Sequence, residues 1–322
     1  MHILFVIDPL EMLNLATETS LLLIEELARR GHVSSVATIH GLSLTEHGAA
    51  AQARSIELDL TRQPFYDLGP QTSGGFERFD LVLMRKDPPV DEAYIFATHV
   101  LERATADTLV LNNPVSLRLL NEKLLPLRFP QWTPPTLVSA DAEQLDAFSR
   151  AHGRIVLKPL SECSGRGIRL IDANDAASAI TKALAARNGS PLLAQKFLPG
   201  VAHGDKRVIV VDGKPIGAVN RIPRSADHLA NIHQGAEVRR TDISDHESNV
   251  IAHVGRVLQQ YGLYFAGLDF IDGYLTEINI TSPSAVRQIN QMSAVHLEVT
   301  MVDFLERFVS TAGKDERVHA ID

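Results

Sequence analysis

The sequence predicts an α/β N-terminal domain built on a parallel sheet, followed by α+β subdomains. Three observations predict it. Residues 2–7 (HILFVI), 33–39 and 79–84 are short apolar runs, the first two separated by a leucine-rich helical stretch, which is the βαβ pattern of a parallel sheet. From residue 154 onward, strand-like runs come in pairs, two of them joined by Asp-Gly turns, with helical stretches between the pairs. The chain has 322 residues, more than one ordinary domain needs, and its 45% apolar content can fill a sizeable core.

The first strand, residues 2–7, ends at Asp8-Pro9. It has no basic n-region and its apolar run is short, so it reads as a strand and not as a signal peptide. A helix starts near Thr17, with Thr17, Thr19 or Ser20 as its cap, runs to Arg30 and stops at Gly31. A second strand follows over 33–39, and a buried one over 79–84 ends in RKDPP. Residues 92–103 read as a helix and TLVLNNP as a strand with a turn, closing a small doubly wound domain near residue 120. Ligands of such sheets sit beyond the carboxyl ends of the strands. Asp8, Arg85, Asp87 and Asn112 lie there.

In the second half, residues 154–160 are a strand, 161–167 (SECSGRG) a loop of small residues, and 168–172 the returning strand. A helix runs to about residue 187. PLLAQKFLPG and DKRVIVVDGKPIGAVNRIP are strands, the latter turning at Asp212-Gly213. Residues 224–240 are polar without periodicity and are expected to be a mobile functional loop. A helix over 244–261, a hairpin turning at Asp272-Gly273 and a last helix complete the chain. Boundaries are expected at 122/123 and 199/200.

The net charge of −8 argues against general nucleic-acid affinity. The single cysteine, Cys163, excludes a disulfide within one chain and points to the cytoplasm. No apolar run approaches a membrane span. The thirteen histidines show no metal-ligand spacing, although His228, His233 and His246 flank the polar stretch and can approach a substrate.

The hairpin GLDFIDGYLTEINITSPS poses the chemical question. Glu277 and Asn279 are two apart and share one strand face, and Asp269 lies on the partner strand. An isolated acid on a strand is most often a solvated one. Three converging oxygen donors instead suit Mg²⁺, whose shell phosphate oxygens usually complete. A phosphate site is at hand in Lys158, which ends a strand directly before Ser-x-x-Ser-Gly-x-Gly. Small residues such as Ser164, Gly165 and Gly167 let backbone N–H groups approach an anion, and the lysine adds charge. This is neither a P-loop nor a Rossmann fingerprint, because the lysine precedes the glycines and a strand follows them. Lys123 lies near the domain junction, and backbone amides over Gln195, Lys196, Phe197 and Leu198 can read an adenine edge.

The segments IDPL, LVLMRKDPP, LNNPVSLRLLNEKL, PPTLV, VLKPL, AQKFLP, GDKRVIVVDGKP, RIP and LTEINITSP, in this order, resemble the ATP-grasp superfamily, and within it the prokaryotic type of glutathione synthetase. The resemblance implies that ATP lies between two α+β subdomains, with phosphates on Lys123 and Lys158, adenine at residues 195–198, and Asp205 among the nucleotide contacts. It implies Mg²⁺ on Asp269, Glu277 and Asn279, and a transition-state arginine at Arg207, where a cation offsets developing charge. Substrate contacts are expected from Asp8, Asn14, Arg85, Asp87, Arg221, Asn231, Thr281 and Ser282. Asn14 and Asn231 rest on the resemblance alone. The implied reaction passes through an acyl phosphate of γ-glutamylcysteine, which glycine then attacks. No protein nucleophile is needed, so Cys163 is a packing residue or incidental thiol. A homo-oligomer is implied as well.

Three stretches depart from the family pattern. In HLANIHQGAEVRR, Leu229 replaces an arginine and Glu237 stands near the place of another. SECSGRG replaces an aspartate and a run of glycines, with Arg166 as added charge. LNLATETS has Thr17 and Glu18 where a lysine is usual. Each lost partner for a substrate carboxylate costs about 1.5–3 kcal/mol. Three readings follow: glutathione synthetase with a variant lid, a related ligase joining another acid and amine, and a nucleotide-binding regulatory protein. The intact Arg207, Asp269, Glu277 and Asn279 weigh against the third.

Overall fold

The protein is described here as a computed structural model covering residues 1–162, 165–223 and 236–319, with residues 312–319 as helix backbone only. The chain opens with β1 (His2–Val6), α1 (Thr19–Arg29) and β2 (Val33–Ala37). Then come β3 (Leu42–Thr45), β4 (Gly48–Leu58), β5 (Tyr66–Leu68), β6 (Thr72–Gly75), β7 (Leu81–Met84), α2 (Glu92–Ala104), β8 (Leu109–Leu111) and α3 (Pro114–Leu119). The first sheet has the order β3-β4-β2-β1-β7-β8, with β5 and β6 also on β4. β1 is parallel to β2 and β7, and β7 to β8.

Ile3, Leu4, Phe5 and Val6 are fully buried. Ile3 and Phe5 pack with Leu23, Ile24 and Leu27 of α1, while Leu4 and Val6 pack with Tyr94, Ala97 and Leu101 of α2. Period-two alternation thus serves two helical layers, and the sheet is doubly wound as expected. It is not wholly parallel. β4 runs antiparallel to β2 and carries β3, β5 and β6 as an antiparallel extension. α1 also starts later than expected. Thr17 and Glu18 donate backbone N–H groups to the Asn14 carbonyl, and Glu18 is the cap, accepting from Ser20 N at 2.8 Å.

β9 (Thr136–Ser139), α4 (Ala142–His152), β10 (Ile155–Pro159), β11 (Arg169–Ile171), α5 (Ala176–Ala185) and β12 (Leu192–Lys196) follow. Their sheet is antiparallel in the order β11-β10-β12-β9, with α4 and α5 on its apolar face. β13 (Asp205–Val211), β14 (Lys214–Ile222), β15 (Glu237–Arg240), α6 (Asp245–Gln260), β16 (Phe265–Ile271), β17 (Tyr274–Asn279), α7 (Val286–Ser293) and α8 (Leu297–His319) complete the chain. The third sheet, β15-β14-β13-β16-β17, is antiparallel. Asp272 and Gly273 both have positive φ, 51° and 76°, as a tight hairpin turn requires.

Two expectations are corrected here. Residues 237–240 of the polar stretch form β15, paired to β14, because Val219 to Ile222 offer an open edge; residues 224–235 lie outside the described part. The closing helix is two helices, separated at Ala294, whose φ is 52°.

Candidate functional site

The third sheet carries apolar side chains on one face and a row of charge on the other. Val208, Val210, Leu268, Phe270 and Ile278 point to α6, packing with Val250, Ile251, Val254 and Leu258. The opposite residues are Asp205, Arg207, Asp269, Glu277 and Asn279. Arg207 is opposite Asp269, which is opposite Glu277, and Arg221 is opposite Asp205. Further along the same face, Ile209 and Val211 are covered by α7 and α8, which confines the charge to one end of the strands.

Asp269 is the anchor of this row. Its Oδ1 accepts from Arg207 Nε at 2.5 Å and lies 3.1 Å from Arg221 Nη2. Its Oδ2 accepts from Arg207 Nη2 at 2.8 Å and Asn279 Nδ2 at 3.2 Å. Burial alone would raise its pKa, but the two guanidinium groups outweigh burial and hold it at about 2. Arg221 also binds Asp205 Oδ2 at 2.7 Å. Asp205 is pushed up to about 6 by burial, and its Oδ1 is sealed from solvent without a hydrogen-bond partner.

Two lysines face this row. Lys123 Nζ lies 3.2 Å from Glu277 Oε1 and also donates to the Glu162 carbonyl. Lys158 Nζ donates to Gln195 Oε1 at 3.0 Å, and Gln195 Nε2 to Thr136 Oγ1 at 3.0 Å. Burial lowers the Lys158 pKa, against the pull of Glu277, Asp205 and Asp269. The loop after β10 is tied down by Asn121 Nδ2 to Leu160 O at 2.8 Å and Arg166 Nη2 to Pro88 O at 3.3 Å. Gly165 and Gly167 have φ of 76° and 72°, and a Cβ at Gly167 would meet Pro159 Cγ at 2.9 Å. Ser164, Cys163 and Asn231 lie outside the described residues.

In the segment 195–198, expected to hold adenine, two backbone amides are already engaged. Lys196 N already donates to Pro135 O at 2.9 Å and Phe197 N to Arg154 O at 3.0 Å, so two of its amides serve the sheet and its exit. The Lys196 side chain is exposed.

A second polar cluster sits at the carboxyl ends of β1 and β7. Asp8 binds Lys86 Nζ at 2.9 Å and accepts from Asp87 N at 2.9 Å. Asp87 is raised to about 6 by burial first and then by the Glu18 charge, despite Arg85 and a hydrogen bond with Ser282. Arg85 is buried, donates Nη2 to Pro283 O at 3.1 Å, and keeps Nη1 without a partner. Asn14 Oδ1 accepts from Ala16 N at 3.0 Å, which fixes the turn before α1. Asn112, noted at a strand end, is structural. Its amide donates to Phe265 O and Ile280 O, both at 2.8 Å, and accepts from Tyr264 N and Phe265 N.

The structure therefore brings Lys123, Lys158, Asp205, Arg207, Arg221, Asp269, Glu277 and Asn279 into one cluster. Asp8, Arg85, Asp87 and Ser282 form the other, and Thr281 lies between them. Sequence reasoning missed Glu122. It is buried, accepts from Ile280 N, Thr281 N and Thr281 Oγ1, and lines a small cavity with Lys123, Pro88, Ser161 and Thr281. The signal available was the polar Asn-Glu-Lys step inside the apolar run LRLLNEKLLP.

Among the described residues no three His, Cys, Asp or Glu side chains gather as a metal-binding group. The mixed set of Glu277, Asp269 and the Asn279 amide oxygen still suits a hard divalent cation. Asn279 Nδ2 is pinned by Gly267 O and Asp269, which turns its oxygen outward, and Asp205 Oδ1 is a further buried oxygen lacking a donor. Asp269 fits only by exchange, since four donors already surround its two oxygens.

Comparison with known proteins gives this geometry a lineage. Residues 1–118 match the prokaryotic glutathione synthetase N-terminal domain, and residues 122–294 the prokaryotic glutathione synthetase ATP-grasp domain. The glutathione synthetase of Gloeobacter violaceus is 39% identical over 319 residues, covering 97% of this chain and 98% of that protein. That of Rhodopseudomonas palustris is 37% identical over 300 residues, covering 93% and 96%. The fold is also that of D-cycloserine synthetase DcsG, with a TM-score of 0.66 at 17% identity over 96% of this chain and 99% of the other. D-alanyl-alanine synthetase A from Vibrio cholerae shares it with a TM-score of 0.60 at 14% identity, over 96% and 98%. The chain belongs to the prokaryotic glutathione synthetase family.

Proposed function

We propose that this chain joins γ-glutamylcysteine to glycine at the expense of ATP, releasing glutathione, ADP and phosphate. The observation that carries the reading is the row Arg207–Asp269–Glu277–Asn279 with Lys123 and Lys158 opposite it, in a chain that matches both domains of its family. Lys123 and Lys158 bind the ATP phosphates, with adenine towards residues 195–198. Glu277, Asn279 and, on giving up a present contact, Asp269 would hold Mg²⁺. When bound, this cation draws charge from the phosphoryl oxygens and orients the phosphates.

The donor carboxylate attacks the γ-phosphate, the bond to ADP breaks, and an acyl phosphate forms. The glycine amine then adds to the acyl carbon, loses a proton and expels phosphate. Arg207 sits where negative charge builds in both steps, and the contact it yields at Asp269 turns its guanidinium to the reacting oxygens. Arg85, buried, and Asp87, half-buried, offer opposite charges to an amino-acid end of the donor. We read the ATP-holding units as 123–199 and 200–322, behind a substrate unit of 1–122.

A second reading, a ligase for another acid and amine, is favoured by one observation: Ala16, Thr17 and Glu18 put no cation beside Asp87. The test is ADP release by the purified protein with ATP and Mg²⁺, adding γ-glutamylcysteine and glycine singly and together, with product mass read in parallel. ADP release requiring both, with glutathione formed, supports the first reading. ADP release only with other acids or amines supports the second.

A further inference from the structure

We infer that Glu122 is a positioning residue: it fixes the end of β17, and so Glu277 and Asn279, against Lys123. β17 is an edge strand. The backbone N–H groups on its outer side find no strand partner, and an edge left so is free to shift. Here the connecting segment takes the place of a strand. Leu275 N donates to Trp132 O at 2.8 Å and Ile278 N to Glu122 O at 3.0 Å. Beyond them the Glu122 side chain takes over. Its Oε1 accepts from Ile280 N at 2.7 Å, Thr281 N at 3.0 Å and Thr281 Oγ1 at 2.9 Å.

One residue thus grips the chain on both sides of Asn279. The next residue, Lys123, reaches Glu277 at 3.2 Å. The phosphate-facing lysine and the cation-facing strand are therefore referenced to the same dipeptide. The same loop is held from the other side by Arg85 Nη2 and Thr19 Oγ1, both on Pro283 O, and by Asn112 on Ile280 O. Glu122 closes that frame at the end nearest Glu277. Its burial is costly for an acid, the more so beside Glu277, which marks its acceptor oxygen as the reason it is there. Groups that orient ligand-bearing residues in this way carry about 10- to 100-fold in affinity or activity.

The inference rests on the proposed nucleotide and Mg²⁺ site but not on the identity of the acid and amine, so its deciding readout is ADP binding, with turnover read as a companion. Isothermal titration of ADP, in EDTA and in Mg²⁺, is run on wild type, Glu122→Leu and Glu122→Gln, with kcat and KM for ATP beside it. Glu122→Leu is expected to weaken Mg²⁺-dependent ADP binding and kcat by about 10- to 100-fold. ADP binding in EDTA should stay close to wild type. Glu122→Gln retains an acceptor oxygen and should restore most of the loss. If the leucine variant does not fold, Thr281→Val removes one of the three donors and should shift the same two quantities in the same direction. Unchanged Mg²⁺-dependent binding in a folded Leu variant, or a Gln variant as impaired as Leu, overturns the inference. Wild type that binds Mg²⁺ and ADP but makes no glutathione overturns the substrate assignment instead.

Discussion

The two polar clusters of this protein differ in how their central charge is satisfied. In the row on the third sheet, Asp269 meets Arg207, Arg221 and Asn279, and Glu277 meets Lys123. The carboxylate at the centre is matched by charge and held ionised at about 2, while Asp205 beside it is pushed up to about 6 and keeps one oxygen without a partner. At the ends of β1 and β7 the matching is incomplete. Arg85 Nη1 is buried without a partner, and Asp87 is pushed up to about 6. The centre of the first cluster is held by protein groups and suits a ligand frame, with Asp205 left short of a partner. The second carries strain that an incoming charged group relieves, as a substrate subsite does.

The comparison breaks most sharply at Arg207. Arg207→Ala leaves Asp269 and Asp205 to share Arg221, and breaking a buried pair from one side costs about 3–5 kcal/mol. Chemical denaturation should show a loss of that order, together with loss of turnover; a stable variant would mean that the row does not depend on its own charges. Glu277→Gln is milder for the fold and severe for chemistry. Turnover is expected to fall on the order of 10²–10³-fold, as for other charge-stabilising groups, with the denaturation midpoint little changed. Unchanged turnover would remove Glu277 from the cation set.

The other cluster should answer in the reverse sense. Asp87 has a folded pKa of about 6 against an ordinary 3.8, so between those values the folded state binds more protons than the unfolded. Stability from this group therefore falls as pH rises from about 4 to 6, and the full cost stands above that range. Asp87→Asn is expected to stabilise the protein by about 1–3 kcal/mol at pH 7.5, with the gain disappearing near pH 4, while activity drops. Equal stability at both pH values would sink the claim of strain. The smallest effect is expected at an exposed pair. Arg154 pairs with Asp172 at 2.6 Å and lies over Phe197, but both charged side chains are about half exposed. Arg154→Ala should change stability by less than about 1 kcal/mol.

The sequence made one cluster far more legible than the other. Asp269, Glu277 and Asn279 follow from period-two spacing across a recognisable Asp-Gly turn, and the strand-end rule finds Asp8, Arg85 and Asp87. Glu122 escaped because its partners are the backbone N–H groups of Ile280 and Thr281, more than 150 residues away, and donors of that kind leave no mark on side-chain patterns. Asn112 misled for the same reason, since all four of its contacts are to backbone atoms. The strands of residues 42–75 pass unseen because β4 is half alanine and small polar residues, and its assignment rests on four partners that only the fold supplies. Residues 237–240 read as loop because a short charged edge strand has no alternation to show.

The helix that ends the described chain lies against the one that begins it. Arg30 binds Asp303 and Glu306 at 2.7 and 2.9 Å, and Ile3, Phe5 and Leu27 share an apolar cluster with Met301, Val302 and Leu305. On the ribosome this sets an order of events. The part of the opening βαβ unit that this helix covers stays open until some three hundred residues have been made, so packing of the first half waits for residues 297 onward. A nascent chain halted before residue 297 would carry that apolar face into the cell open, as a client for chaperones.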